Sequence, residues 1–544
     1  LSHPKLRMRS AARAGVTAAL VGLGACSNGS GGGLAPATGG TAPPFTAVTQ
    51  VRVSQPVSLP PNCDAAATEG TLYPGTVVEA SVAVSPANSS NLIATWQQNR
   101  WSSGGSQAIG IAASFDGGNS WTASSAAFSR CSGGSSANAG DYARTSNAWI
   151  SIAPNGVAWA LALSFTGQLL ANGSTSGMLV ANSVDGGSTW SLPIALIQDG
   201  SGFFNDKGAI TADPNDSNFV YAVWDRLAGQ TTGPSYFSST TNAGSTWNAA
   251  RNIYDPGPNN QTIGNLILVL PDGKLVNLFN EIDSVGGGAT TATLKAITST
   301  DQGNTWSATA VTVSQITAVG TVDPSDNTPV RDSSLLFTAA VGASGIIYVA
   351  WQDARFSQGD HDGIAFTQSA DEGVTWATPV QVNAEPTVQA FTPTLDVRAD
   401  GTIAVTYFDL RNDTPDVSAL GLYADCWLVE STDAGQSFTE SHLSGSFDLR
   451  LAPKTTSGYF LGDYQGLAHQ ATAFLPLYAQ PDVAGTIATD VFISFPPATA
   501  AATARVRQRF AARAAPAAVF TAAARQRISE RIRFMRTQRL KGGP

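Results

Sequence analysis

Ser369-Ala370-Asp371-Glu372-Gly373-Val374-Thr375-Trp376 is one of six copies of an eight-residue pattern, Ser/Thr-x-Asp-x-Gly-x-x-Trp. The others run from Ser114 to Trp121, Ser183 to Trp190, Thr240 to Trp247, Ser299 to Trp306 and Ser431 to Phe438. The third places (Asp116, Asp185, Asn242, Asp301, Asp371 and Asp433) lie 69, 57, 59, 70 and 62 residues apart. A short motif at a near-regular period marks a repeat architecture. The short acidic or amide side chain accepts hydrogen bonds from the N–H groups of its own turn. Glycine supplies the positive φ of a tight hairpin. The aromatic residue starts the return strand and anchors it in the core.

Working outward, each copy sits between strand-like runs in a fixed order. Ala209–Asp213, a turn at Pro214–Asn218 and Phe219–Trp224 make a first and second strand, as do Thr394–Arg398 and Ile403–Phe408 around Ala399–Gly401. A third strand such as Gly363–Ser369 runs into the motif and a fourth, Trp376–Val382, leaves it. Four antiparallel strands per repeat, repeated radially, predict an all-β fold, a β-propeller of four-stranded blades. After the sixth motif, Tyr464–Ala468, Thr472–Ala479 and Asp490–Phe495 read as three further strands with no hairpin motif behind them. Val48–Ser54 resembles the fourth strands, so the expectation is seven blades, the last closed by this N-terminal strand. Six blades with an appendage is the alternative.

The predicted propeller spans 46–497. Before it, 1–25 reads as a signal: Lys5, Arg7, Arg9 and Arg13 precede an apolar run too short to span a membrane. Leu23-Gly24-Ala25-Cys26 resembles the bacterial lipoprotein box, which implies lipidation at Cys26 and an extracytoplasmic, membrane-anchored protein. An ordinary secreted protein is the alternative. Residues 26–45 are a Gly/Ser/Pro tether. Residues 498–544 are an Ala/Arg-rich basic tail in which Ile528, Ile532 and Met535 share one helical face. It reads as a solvated tail, a basic helix for an anionic surface, or a segment docked on the protein's own acidic body. The chain carries −9 overall, but residues 26–500 hold 15 basic and 38 acidic residues, which argues against nucleic acid as a partner. Cys63 and Cys131 sit in Gly/Ser/Pro-rich loop sequence and either pair, in an oxidising compartment, or are two free thiols, and Cys426 sits in a strand-like run as a buried thiol.

Chemistry is expected on the face opposite the motif, around the channel mouth. The loops after second strands carry Arg100, Asp225-Arg226, Glu281, Asp353-x-Arg355 and Asp409-x-Arg411. The connections between blades carry Arg144, Asp206-Lys207, Arg331-Asp332 and Asp463-Tyr464. The recurring Asp–Arg pairs read either as ligand-binding groups or as braces between blades. Asp206, Arg331, Asp332, Asp463, Tyr464 and Glu281 recur less and are the better ligand candidates. Asp360-His361-Asp362 reads as a surface turn that could hold a cation; no metal or cofactor is assigned.

The six motifs resemble those of the BNR, or Asp-box, repeat proteins of the sialidase superfamily, over roughly residues 80–500. The resemblance implies a glycan-processing exo-glycosidase, with a glycan or a cell-surface protein as partner and a monomeric chain. In that family three arginines hold a substrate carboxylate, a tyrosine activated by a glutamate is the nucleophile, and an aspartate is the acid/base. Carried here, that suggests Tyr464 and Glu281 with Asp206 or Asp332 as catalytic groups, and Arg226, Arg331, Arg355, Arg411 and Asp463 as substrate-binding groups. The family's early Arg-Ile-Pro motif is absent, and Asn277 is followed by Leu278 and Phe279 where Asn-x-Arg would stand. A non-catalytic propeller that binds glycan or protein is the other reading.

Overall fold

Seven strands each open a four-stranded antiparallel group: β1 (Leu72–Ser85), β2 (Arg144–Ile152), β3 (Phe203–Ala212), β4 (Gln261–Val269), β5 (Phe337–Val341), β6 (Ala390–Val397) and β7 (Gly466–His469). In this computed structural model the described residues are 48–55, 59–64, 69–285, 289–413, 421–481, 487–496, 508–515 and 519–542. The signal stretch, Cys26 and the tether fall outside them. β1 packs beside β2, β2 beside β3, and so on to β7, which packs beside β1. The first strands thus close a ring, the arrangement of a propeller. The one bridge Ser106↔Thr145 links the first two groups into a single larger sheet. The last group, β7 with Phe474–Pro481 and Thr489–Phe495, takes its fourth strand from Thr49–Arg52, with Thr49 opposite Phe495.

The six motif turns are built alike. Ser369 Oγ donates to Asp371 Oδ1 at 2.8 Å and accepts from the Gly373 N–H at 2.9 Å. Asp371 Oδ1 accepts from the Thr375 N–H at 2.8 Å and Oδ2 from its hydroxyl at 2.5 Å. These bonds, the hydroxyl's first, pull the Asp371 carboxyl down to about 2. Glycine in fifth place is only half of the turn. The fourth place is left-handed too, at Glu372 (φ 60°), Gln302 (58°), Ala434 (56°) and Ala243 (53°). Two successive positive φ values give a turn whose twist matches the strands it joins. Two copies have glycine there, Gly117 and Gly186, and in the other four the bonds of the third and first residues hold a non-glycine residue in that conformation.

The fifth place has a second reason to be glycine. A Cβ on Gly244 would lie 2.2 Å from the Trp159 ring, one on Gly303 2.5 Å from Phe237, and one on Gly435 2.8 Å from Phe366. Each ring belongs to the preceding group. Gly118, in the first group, meets Phe495 of the last. The motif therefore joins neighbouring blades as well as turning the chain.

Two features differ from the sequence reading. Sheet structure does not end at 497: Gln508–Ala511 pairs with Ser437–Asp448, and Arg513–Ala514 with Val380–Gln381. Both add a strand to an outer edge, where unpaired backbone groups are available. The end of the chain is also not a solvated tail. Thr521 Oγ1 accepts from the Ala524 N–H at 3.1 Å and caps helix α1 (Ala522–Gly542), which docks on the body. Ile528 and Ile532 are buried among Ile282, Leu294 and Leu335. Elsewhere, Cys63 and Cys131 are joined in a disulfide with Cα atoms 4.9 Å apart, and Cys426 is a buried thiol.

Val53 lies on the N-terminal strand's path with none of its surface exposed, and its N–H donates to Val491 O at 2.8 Å. Val53→Asp places an unpaired charge there and is expected to cost at least about 3 kcal/mol. Denaturant titration should show that loss, together with faster hydrogen exchange in Thr489–Phe495. Unchanged protection of that strand would mean that it does not depend on its N-terminal partner.

Candidate functional site

Five of the seven first strands share one irregularity. Pairing with the second strand slips between Val78 and Ser81 in β1, Ser146 and Trp149 in β2, Asp206 and Ala209 in β3, Ile263 and Leu266 in β4, and Phe391 and Thr394 in β6. Each gap holds a residue with positive φ: Glu79 (54°), Asn147 (52°), Lys207 (45°), Gly264 (72°) and Thr392 (49°). Such bulges re-aim a side chain. A non-glycine residue held this way costs on the order of 1–3 kcal/mol and persists only where its surroundings over-determine it.

Glu79, Asn147 and Lys207 converge. Lys207 Nζ lies 3.2 Å from Asn147 Oδ1, 3.5 Å from Glu79 Oε1 and 2.5 Å from Asp463 Oδ2. Arg331 grips the same Asp463 carboxylate with two N–H groups, at 2.9 and 2.6 Å. Burial would push the Asp463 carboxyl up, but Arg331 and Lys207 outweigh it and hold the group well below the usual range. Burial pulls the Lys207 ammonium down, yet Asp463, Glu79 and Asp206 leave it above its ordinary value.

Arg100 and Arg331 both stack on Phe460, with guanidinium carbons 4.9 and 4.4 Å from the ring centre. Arg100 is fully buried and donates to Gln97, while its Nε and Nη2 have no hydrogen-bond partner among the described residues. Burial first, then the Arg331 charge, pull it down to about 9. Glu79 accepts from Gln97, and its other oxygen has only Lys207 nearby. A cavity of about 210 Å³ lies beneath, walled by Trp149, Thr338, Thr394 and Tyr464. A smaller space of about 40 Å³ at the mouth meets Lys207, Arg331, Asp463 and, from α1, Arg539.

The structure brings Asp206, Arg331, Asp463 and Tyr464 to this centre, sets Asp332 on the wall of the same mouth space, and disperses the other candidates. Glu281 pairs with Lys295 of its own group at 2.5 Å and accepts from Tyr254 of the preceding group, and is not brought to Tyr464. Tyr464 donates to the Ala148 carbonyl at 3.2 Å and packs edge-on to Trp149 at 5.3 Å. Burial first, then Glu79 and Asp463, raise its phenol far above the ordinary value, so it is protonated at neutral pH. Asp332 accepts from Thr321, Gln352 and, on α1, Arg531.

Arg355 closes on Asp353 and Arg411 on Asp409 and Glu440, as braces do. Arg226 braces too, but on Asp199 of the preceding group, not on Asp225, because consecutive strand residues point to opposite faces; Asp225 meets Arg539 of α1. The cation loop does not form: Asp362 is buried, accepting from the Val319 and Gly320 N–H groups, while Asp360 is exposed beside His361. Among the described residues the one cluster with metal-ligand proximity is Cys63, Asp64 and Cys131, and both its cysteines are in the disulfide.

Glu79 and Asn147 were not among the sequence candidates. Their signal is a polar residue breaking an apolar stretch at the same place in successive first strands, in Val77-Val78-Glu79-Ala80 and Asn147-Ala148-Trp149, as Lys207 does before Ala209-Ile210.

Residues 234–452 match the family described as BNR repeat-like domain, a span that holds four of the six motifs. No curated protein matches the chain. Among solved structures it is similar to an alpha-L-arabinanase of Penicillium chrysogenum complexed with arabinobiose, at 17% identity and a TM-score of 0.43, over 66% of this chain and 94% of that one. A Hadza microbial sialidase gives 15% and 0.41, over 73% and 75%. A protein of unknown function from Dyadobacter fermentans gives 12% and 0.43, over 83% and 99%.

Asp362, outside the centre, gives the fold a pH dependence. Burial, then Asp332, push its carboxyl up to about 7 from an ordinary 3.8. A raised carboxyl contributes stability that is fully present below its unfolded value and is lost as pH rises through the folded one. Relative to Asp362→Asn, the native chain should therefore lose melting temperature between about pH 4 and 7. Parallel curves for the two proteins would show that Asp362 is ionised throughout.

Proposed function

We propose that the protein is an extracytoplasmic glycan-processing hydrolase working at the channel mouth. The observation that carries this is the convergence of the strained residues Glu79, Asn147 and Lys207 on Asp463, Arg331 and Arg100, beside a cavity that Tyr464 lines. Strained backbone, buried charge and unmatched N–H groups gather at one place, as they do where binding, not packing, sets the residues. Arg331 lines the mouth space as a positive group for the oxygens of a sugar ring or its carboxylate, and Arg100, stacked with it on Phe460, adds a second buried charge with unpartnered nitrogens. The Tyr464 phenol is the candidate nucleophile. Its carboxylate partner in this reading is Glu79, the charge that acts most strongly on the phenol, in place of Glu281.

The disulfide supports an oxidising compartment. Lipid attachment at Cys26, a monomeric chain and a glycan at the cell surface belong to the same proposal.

A second reading, a non-catalytic propeller that binds glycan or protein, is favoured by one observation. Arg226, Arg355 and Arg411 are spent on carboxylates, and Tyr464 donates to a backbone carbonyl. A panel of fluorogenic arabinosides, sialosides and other glycosides separates the two. Turnover that falls at least 100-fold in Tyr464→Phe and in Glu79→Gln is expected for the hydrolase. Glycan-array binding without turnover on any glycoside would leave the binder.

A further inference from the structure

Helix α1 lies across the mouth, and its arginines enter two acidic sockets. Arg539 donates to Asp206 Oδ2 at 2.7 Å and to the Thr262 carbonyl at 3.2 Å, and its guanidinium also touches the Asp225 carboxylate. Arg531 donates to Asp332 Oδ1 at 2.6 Å and to Ser334 at 3.1 Å. Both arginines are more than nine-tenths buried, and the three aspartates have almost no exposed surface. Asp225 has no hydrogen bond to either oxygen from the rest of the described body. Without a guanidinium from outside, that carboxylate would be buried and unpaired, at high cost.

The surface is shaped for this occupant. Gly320 has φ +83°, and a Cβ there would lie 2.3 Å from the Arg531 guanidinium. Gly359, at φ +86°, would meet Ala524 at 2.7 Å. Arg527 reaches the Gly359 carbonyl, and Arg536 the Thr231 and Asn259 carbonyls at 3.0 Å each. The helix has seven basic residues and one acidic residue, against a body with a large acidic excess. Among the described residues its buried apolar side chains are few: Ala524, Ile528 and Ile532. A buried ion pair contributes little net stability, whereas an empty charged socket is costly. The mouth therefore demands a guanidinium without demanding that it come from this particular helix.

We infer that the channel-mouth face is a receptor for an arginine-bearing helical peptide, and that α1 is its displaceable occupant in cis. Met535, Gln538 and Arg539 wall the space over Lys207, Arg331 and Asp463, so an occupied receptor is a covered mouth. This holds whether or not chemistry takes place beneath the helix.

The test uses the full chain and a fluorescent peptide with the sequence of residues 519–544. Full-length Arg531→Ala/Arg539→Ala protein should bind the peptide at least tenfold more tightly than the native chain does. A peptide with alanine at those two positions should bind that variant at least tenfold more weakly. Absence of binding to the double variant, or equal binding of both peptides, would overturn the inference. A second measurement needs no variant. Excess unlabelled peptide added to the isotopically labelled native chain should lower the hydrogen-exchange protection of the chain's own Ala522–Gly542. Protection unchanged at saturating peptide would show a permanent helix and overturn displaceability.

Discussion

The fold depends on the contact between each motif glycine and a side chain of the preceding blade. A hairpin closed by Ser, Asp and Thr bonds is rigid, and its fifth residue is presented at a fixed height. Where that residue is glycine, backbone lies directly on the Trp159, Phe237 or Phe366 ring. Any side chain would force the blades apart by the width of a methyl group, which close-packed interiors do not absorb without strain. Small domains gather around one core. Here several core clusters are strung around a ring, and this contact couples each to the next.

Closure follows from the same contact. Gly118 of the first group rests on Phe495 of the last, next to where Thr49–Arg52 joins the sheet. The two ends of the chain thus meet through a backbone ladder and a side-chain contact at once. The late strands at 508–511 and 513–514 cover outer edges, and α1 covers the face where the inner strands end.

The sequence was eloquent about the scaffold and nearly silent about the centre, for a physical reason. Ser369–Trp376 is a local structure: its bonds span four residues, so its spelling is contiguous and repeats. The strand order and the clasp at Val48–Ser54 followed from that spelling. The centre is assembled from Glu79, Lys207, Arg331 and Asp463, which meet only once the ring has closed, so no short stretch contains it. Asp206, Arg331, Asp463 and Tyr464 could be named because charge is scarce and they sit at blade junctions. Glu281 was misplaced because position after a second strand does not say that the side chain turns to Lys295 instead of the axis. The tail stayed open between three readings, docking among them, because its arginines look solvated until the aspartates they enter are known.

The bulges in the first strands have a consequence for how such a protein changes over time. Five of the seven blades set aside one residue, at positions 79, 147, 207, 264 and 392, that the ladder does not use. The ring thus behaves like a combination lock whose wheels turn independently. Glycine at 264 is one setting, threonine at 392 another, lysine at 207 a third. A lineage can dial a new ligand preference one wheel at a time while every hairpin stays as it was, so two chains with identical motifs need not share a substrate.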